Sequence, residues 1–309
     1  MTAQETISAM LGQLARTQQV QLMLAGRQAS WALRGRALDC LADAEFKVFS
    51  QFGEDGIIEW LVQNLPEGDE RFVEFGVEDY SEANTRFLLQ NRNWKGLILD
   101  GGERHLERLR EEGELLWRHD LTVASAFITA ENIDALLAQH GFTGELGLLS
   151  VDIDGNDYWV LDKIRAVSPR ILVCEYNPIF GDKWPVSIPY QPDFTRFAGH
   201  HCGLYFGASL QALKHWAGRN GYGFAGTCSN GINAFFVRND LFPHIQGKLA
   251  RLRGFPSRHR DARDSQGRLV YTGGRARTEL VMDLPLVRVD TMAPCTLREL
   301  GDPFTADWA

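Results

Sequence analysis

From Arg71 onward the chain alternates short, nearly continuous apolar runs with stretches whose apolar residues recur every three to four positions. The runs RFVEFG (71–76), GLILD (96–100), LGLLSVDID (146–154) and RILVCEY (170–176) predict strands, and ELLWRHD (114–120) predicts a weaker one. The segments 82–91, 103–112, 130–140 and 157–167 carry the helical period. Apolar strands separated by helices indicate a parallel sheet covered on both faces, so the fold class is α/β and doubly wound. Further on, GASLQALKHWAGRNG (207–221) reads as a helix with Ser209 at its cap and Gly221 just beyond its end. The runs YGFAGTC and INAFFVRND follow, joined through Asn230-Gly231, and predict a hairpin whose second strand is antiparallel to the first. The expected architecture is Rossmann-like: a mostly parallel seven-stranded sheet closed by an antiparallel C-terminal hairpin strand.

The flanks read differently. In residues 1–45, Val20, Met23, Leu24, Arg27 and Trp31 follow helical spacing, which predicts a helical extension packed on the body or on a second copy in a homo-oligomer. Residues 46–245 form the main domain, and 246–309 a C-terminal extension that is basic, then acidic. At 309 residues, 44% hydrophobic and 23% charged, the chain has ordinary globular composition and enough length for a large core. No run approaches the roughly 18 apolar residues of a membrane span, and the expectation is a cytoplasmic protein. Cys40, Cys174, Cys202, Cys228 and Cys295 are scattered, odd in number and without a CxxC pair, which points to reduced thiols and away from a thiolate zinc site.

A net charge of −8 disfavours nucleic acid as a partner. The charge is uneven: Lys248 to Arg277 holds nine Lys/Arg against two Asp/Glu, so that segment is +7 and the remainder −15. It reads as a solvated excursion, or as a lid or groove for an anionic substrate.

The stretch LLSVDIDGNDYWVL (148–161) locates the chemistry, because Ser150, Asp152 and Asp154 alternate with core residues where an unpaired buried carboxylate costs several kcal/mol. The strand must surface there. In an open parallel sheet, ligands bind beyond the carboxyl ends of the strands. The residues found at such ends are Glu74, Gly76 and Glu78; Asp100; Asp152, Asp154, Asn156 and Asp157; and Glu175 with Asn177. Gly76 permits close backbone approach at a strand-to-helix turn, and Asp100 can accept both hydroxyls of a ribose, a pairing suited to an adenosyl group. A dinucleotide would need a G-x-G-x-x-G turn for its pyrophosphate, whereas Gly76-Val77-Glu78-Asp79-Tyr80 carries two carboxylates. The sulfonium and ammonium of S-adenosylmethionine suit such a turn.

The segments FSQFGEDGII (49–58), FVEFGVEDYSEANTRFLL (72–89), NWKGLILDG (93–101), LLSVDIDGNDYWVL (148–161), CEYNP (174–178) and GINAFFVR (231–238) together resemble the FkbM-type methyltransferases, class I S-adenosylmethionine-dependent enzymes. The likeness spans roughly residues 46–240. It implies that Glu74 and Gly76 belong to the cofactor turn, that Asp100 holds the ribose, and that Asp152 faces the methionine end or the reaction centre. Family members commonly methylate hydroxyls on sugars, polysaccharides or natural products, so a glycan or small-molecule acceptor is implied. One departure is EFGVEDYSEANT, where many relatives have a second glycine; Glu78 and Asn84 would fill that space.

Methyl transfer to oxygen needs alignment and a base for the hydroxyl proton, for which Asp154, Glu175, His200 and His201 are candidates. Asp152, Asp154, Asp157 and Glu175 could equally hold Mg²⁺, with Asp152, Asp154 and Glu175 as the ligand set, or Asp154-Gly155-Asn156 could form a tight turn with Asp157 capping the next helix. Trp184 and Tyr190, in a proline-rich loop, could stack on a sugar or pin the loop. A metal-dependent hydrolase and a non-catalytic nucleoside-binding protein are the competing readings.

Overall fold

The computed structural model describes residues 3–308. Its main sheet contains β1 (Arg71–Phe75), β2 (Lys95–Asp100), β3 (Leu121–Ser125), β4 (Gly144–Val151), β5 (Val167–Glu175), β7 (Tyr222–Thr227) and β8 (Asn233–Arg238), with the short β6 (Val186–Ser187) lying elsewhere. The order is β3-β2-β1-β4-β5-β8-β7. β1 to β5 are parallel, and β8 lies antiparallel between β5 and β7. This is the predicted doubly wound, Rossmann-like sheet with its antiparallel hairpin strand. Strand alternation divides the core: Val73, Phe75, Leu149, Val151 and Phe236 face one cluster, while Phe72, Leu148, Ile171 and Phe235 face the other with Ile57 and Trp60. Register pairs Glu74 with Ser150 on this second face. Both polar side chains are satisfied locally, Ser150 by the Asn84 amide at 3.1 Å.

Several elements differ from the sequence pattern. Residues 114–120 form no strand: Gly113, at φ 59°, ends one helix and starts another over Glu114–Arg118, and β3 begins at Leu121. Trp117 is 73% exposed, so no sheet face covers it. The 82–91 helix begins only at Arg86, because the Glu74 carboxylate draws the Asn84 and Thr85 N–H groups toward itself. The 157–167 helix ends at Lys163, since Val167 already belongs to β5. The later helix is as expected, with Ser209 Oγ accepting from Ala212 N–H at 3.1 Å and Gly221 left-handed at φ 79°.

The N-terminal extension is one helix, Ala3–Ala32. Its second half packs on the body: a Cβ at Gly26 would lie 2.5 Å from Val48, and Ser30 Oγ donates to Glu59 at 2.7 Å. The C-terminal extension builds a smaller antiparallel sheet in which β9 (Leu286–Arg288) lies between β10 (Ala293–Cys295) and β6. Its own core includes Phe180, Ile188, Leu286 and Leu297. Four arginines of the basic segment are engaged by hydrogen bonds or ion pairs: Arg251 with Asp39, Arg268 with Asp264, Arg277 with Asp261, and Arg263 with the Gly267 carbonyl.

Candidate active site

The carboxyl ends of β1, β2, β4 and β5 open onto a cleft of about 650 Å³. Glu74, Gly76, Glu78, Asn84, Asp100, Asp152, Asp154, Asn156 and Glu175 all line it. The convergence follows from the topology, because β1 lies between β2 and β4, and β5 follows β4.

Gly76 sits at φ 69°, and a Cβ there would lie 1.6 Å from the Asp152 carbonyl oxygen. Only glycine allows β1 and β4 to approach this closely as the chain turns. Glu78, at φ 48°, and Tyr80, at φ 60°, continue the turn in left-handed conformations unusual for side-chain-bearing residues. The turn is held from across the cleft, where Asp100 accepts from Glu78 N–H at 2.8 Å and from Gly102 N–H at 2.6 Å. Asp100 is thereby fixed in orientation with lone pairs left over. Glu74 is spent on structure, accepting from Asn84 N–H at 2.8 Å and from both the N–H and the hydroxyl of Thr85. Burial pushes its carboxyl up to about 7 against these donors.

Beyond β4, Asp157 receives Ile153 N–H at 2.7 Å and Gly155 N–H at 3.0 Å, so it shapes the turn from inside. Asp154, at φ 54°, points outward to Arg196 at 2.7 Å. Asp152 and Glu175 form a tight carboxyl pair: burial first, then the neighbouring aspartate charges, raise both well above the usual carboxylate range. The like charges of the pair, taken out of water together, each make the other harder to ionise. Glu175 Oε2 is buried and unpartnered, as is the Oδ1 of Asn233, its cross-strand partner on β8. Asp152, Asp154 and Glu175 can each place an oxygen within 4.8 Å of the others, the spacing of a cation site.

Other sequence candidates lie elsewhere. His200 and His201 do not line the cleft; their rings lie 4.2 Å apart, and His200 contacts Cys202 Sγ at 2.9 Å. Trp184 packs in the C-terminal core with Arg288 over its ring. Tyr190 donates to Glu131 at 2.5 Å and accepts from Ala130 N–H, so both aromatics pin their loops. Sequence reasoning missed Arg196, Phe194, Phe197, Phe127 and Asn233, all in the lining. Asn233 carried a signal, as a polar residue opening the apolar run INAFFVR; the others come from loops and the single helical turn Arg196–Gly199, whose paths no periodicity encodes.

The buried carboxyls set a pH dependence. Burial raises Asp55 and Asp157 to about 6 and Glu74 to about 7. A folded carboxyl that holds its proton more tightly than the unfolded one stabilises below the unfolded value and loses that contribution as pH rises through the folded value. The urea midpoint is expected to fall between the ordinary carboxylate range and about pH 7, each group contributing ~1–3 kcal/mol. A midpoint that climbs across this interval contradicts the assignment.

No family model matches the chain, and no curated protein matches it in sequence. Among solved structures, the chain is similar to the N-terminal domain of EvdMO1 in the presence of SAH and D-fucose, at 12% identity and TM-score 0.39, covering 69% of this chain and 94% of that one. It is also similar to the O-methyltransferase from Bacillus cereus in complex with SAH, at 13% identity and TM-score 0.38, over 70% and 89%. The CurJ carbon methyltransferase aligns at 11% identity and TM-score 0.38, over 64% and 56%. Among the described residues, no helix is long and apolar enough to cross a membrane.

Proposed function

We propose that the chain is an S-adenosylmethionine-dependent methyltransferase of the FkbM type, acting on a hydroxyl of a sugar, polysaccharide or natural product. The observation that carries this reading is the charge of the cleft. Glu78, Asp79, Glu82, Asp100 and Asp154 line it, together with Glu74, Asp152 and Glu175, whose burial raises their proton affinity, against Arg196 and His105. Such a site repels a pyrophosphate and attracts a donor bearing a sulfonium and an ammonium. The residues fit that cofactor: Asp100 has free lone pairs for ribose hydroxyls, and Ala126, Phe127 and Ile128 offer an apolar wall for adenine. The bound cofactor supplies an activated methyl group for in-line displacement.

The acceptor hydroxyl must lose its proton as the methyl transfers. Arg196 already compensates Asp154, which weakens it as a base. Glu175, with an unpartnered oxygen and a raised proton affinity, suits proton uptake, and Asp152 shares the charge. The direct test is calorimetry with S-adenosylhomocysteine (SAH). Asp100→Asn, which keeps only one carboxylate-like oxygen, is expected to weaken SAH about tenfold or more. Unchanged affinity would falsify the ribose assignment.

The second reading is a divalent cation held by Asp152, Asp154 and Glu175, favoured by their mutual reach. It would serve a metal-dependent hydrolase or a metal-assisted transferase. The Arg196 guanidinium competes for that position, so methyl transfer is expected to persist in EDTA. Activity lost in EDTA and restored by Mg²⁺ would instead establish the cation.

A further inference from the structure

A second concavity, about 960 Å³, lies between the N-terminal helix and the segment spanning the 103–112 and 114–118 helices. Arg16, Arg27, Arg86, Arg108 and Arg118 line it, against the carboxylates of Asp79 and Glu114. Its sign is thus opposite to that of the acidic cleft and of the chain as a whole, at −8. Arg118 is paired with Glu114 at 3.1 Å and Arg86 donates to the Tyr80 carbonyl at 2.7 Å, so the proposal turns on Arg16 and Arg27. Arg16 and Arg27 stand on exposed turns of the helix, and the nearest hydrogen-bond partner of Arg27 is a neutral amide, Asn91 at 3.1 Å.

The groove is also apolar. Val20 is 69% and Leu24 56% exposed, and Met23, Leu109 and Leu115 continue the surface beneath them. Apolar side chains beside guanidiniums suit a ligand with an oxyanion head and an apolar body: planar guanidiniums grip phosphate through paired hydrogen bonds, and burial of a chain removes the exposed carbon from water.

The groove meets the cleft. Asp79 and Ser81 line both, and the turn carrying them is the same left-handed turn that Asp100 holds. A ligand seated among the arginines therefore has its near end at the mouth of the cleft.

We propose that this groove binds the acceptor, and that the acceptor is an anionic amphiphile, a phosphorylated molecule with an apolar chain whose hydroxylated part crosses the Asp79–Ser81 turn toward Glu175. As the identity of an acceptor, this rests on the methyltransferase reading; as a binding site, it is testable without it. The full chain is titrated calorimetrically with dodecyl phosphate below its micelle concentration, and separately with SAH. Dodecyl phosphate is expected to bind, to weaken as salt is added, and to lose about tenfold or more in the double variant Arg16→Gln, Arg27→Gln, with SAH affinity unchanged. Both positions are exposed and glutamine is a good helix former, so the variant folds. Leu24→Glu, which sets a carboxylate on the apolar floor, is expected to weaken it comparably. Equal affinity for neutral dodecyl maltoside, equal affinity for inorganic phosphate, no binding, or full binding by the double variant each overturns the proposal. Dodecyl phosphate binding without SAH binding supports the groove while removing the methyltransferase reading.

Discussion

Glu175→Gln is expected to lower turnover by about 10²- to 10⁴-fold, the range by which a positioned proton acceptor contributes, while SAH affinity changes little. The substitution keeps the volume and one carbonyl oxygen but removes the only form able to take a proton. Burial beside Asp152 makes this sensitive: each carboxyl raises the other's proton affinity, so neutralising Glu175 removes one of the like charges facing Asp152 and leaves those of Asp154 and Asp157. The variant's pH profile should accordingly lose the inflection due to the pair. Near-normal turnover with an unaltered profile would move the base elsewhere, with Asp154 next in line because it lines the same cleft.

Gly76→Ala is expected to destabilise the fold by on the order of 3 kcal/mol or more and to abolish SAH binding. The added Cβ would sit 1.6 Å from the Asp152 carbonyl oxygen, and backbone cannot swing aside as a side chain can. Relief requires β1 and β4 to part, which displaces both the turn at Glu78 and the carboxyl pair. Gly141→Ala is the matching control. Gly141 is also left-handed, at φ 77°, yet nothing lies within 4 Å of its added Cβ. It should cost only the backbone penalty, ~1–2 kcal/mol, and leave SAH binding intact. Urea midpoints and calorimetry on the two variants separate conformational strain from close approach; equal effects would show that the β1–β4 contact is not what demands glycine.

The β-strands that frame the cleft were readable because they are buried on both faces, and a run such as LLSV or ILVC has no other stable environment. Their polar ends were readable for the converse reason. What misled was the chain between strands. ELLWRHD has strand-like composition, but with Gly113 left-handed in front of it a helix forms and Trp117 faces water. The paired histidines drew attention as titratable groups, yet their rings meet at a 44° tilt outside the cleft, since the short helix Arg196–Gly199 presents Arg196 and Phe197 to it instead. The conspicuous block SQFGEDGII is accounted for by structure: Asp55 accepts the N–H groups of Val48, Phe49 and Ser50 and so folds the loop before the 54–64 helix.

By itself the sequence determined the α/β class, the antiparallel hairpin and the gathering of carboxylates at strand ends, because burial periodicity and turn chemistry are local and each run of residues carries its own signal. Tertiary structure alone decided how those carboxylates divide their tasks. Glu74 and Asp157 hold backbone, Asp100 bridges two turns while keeping lone pairs, and Asp152 and Glu175 are raised in proton affinity by burial and by the carboxylates around them. The opposed acidic cleft and basic groove likewise emerge only when residues as distant as Arg16 and Arg118 are folded against one surface. A carboxylate's role depends on which donors and charges surround it in space, and no spacing along the chain encodes that neighbourhood.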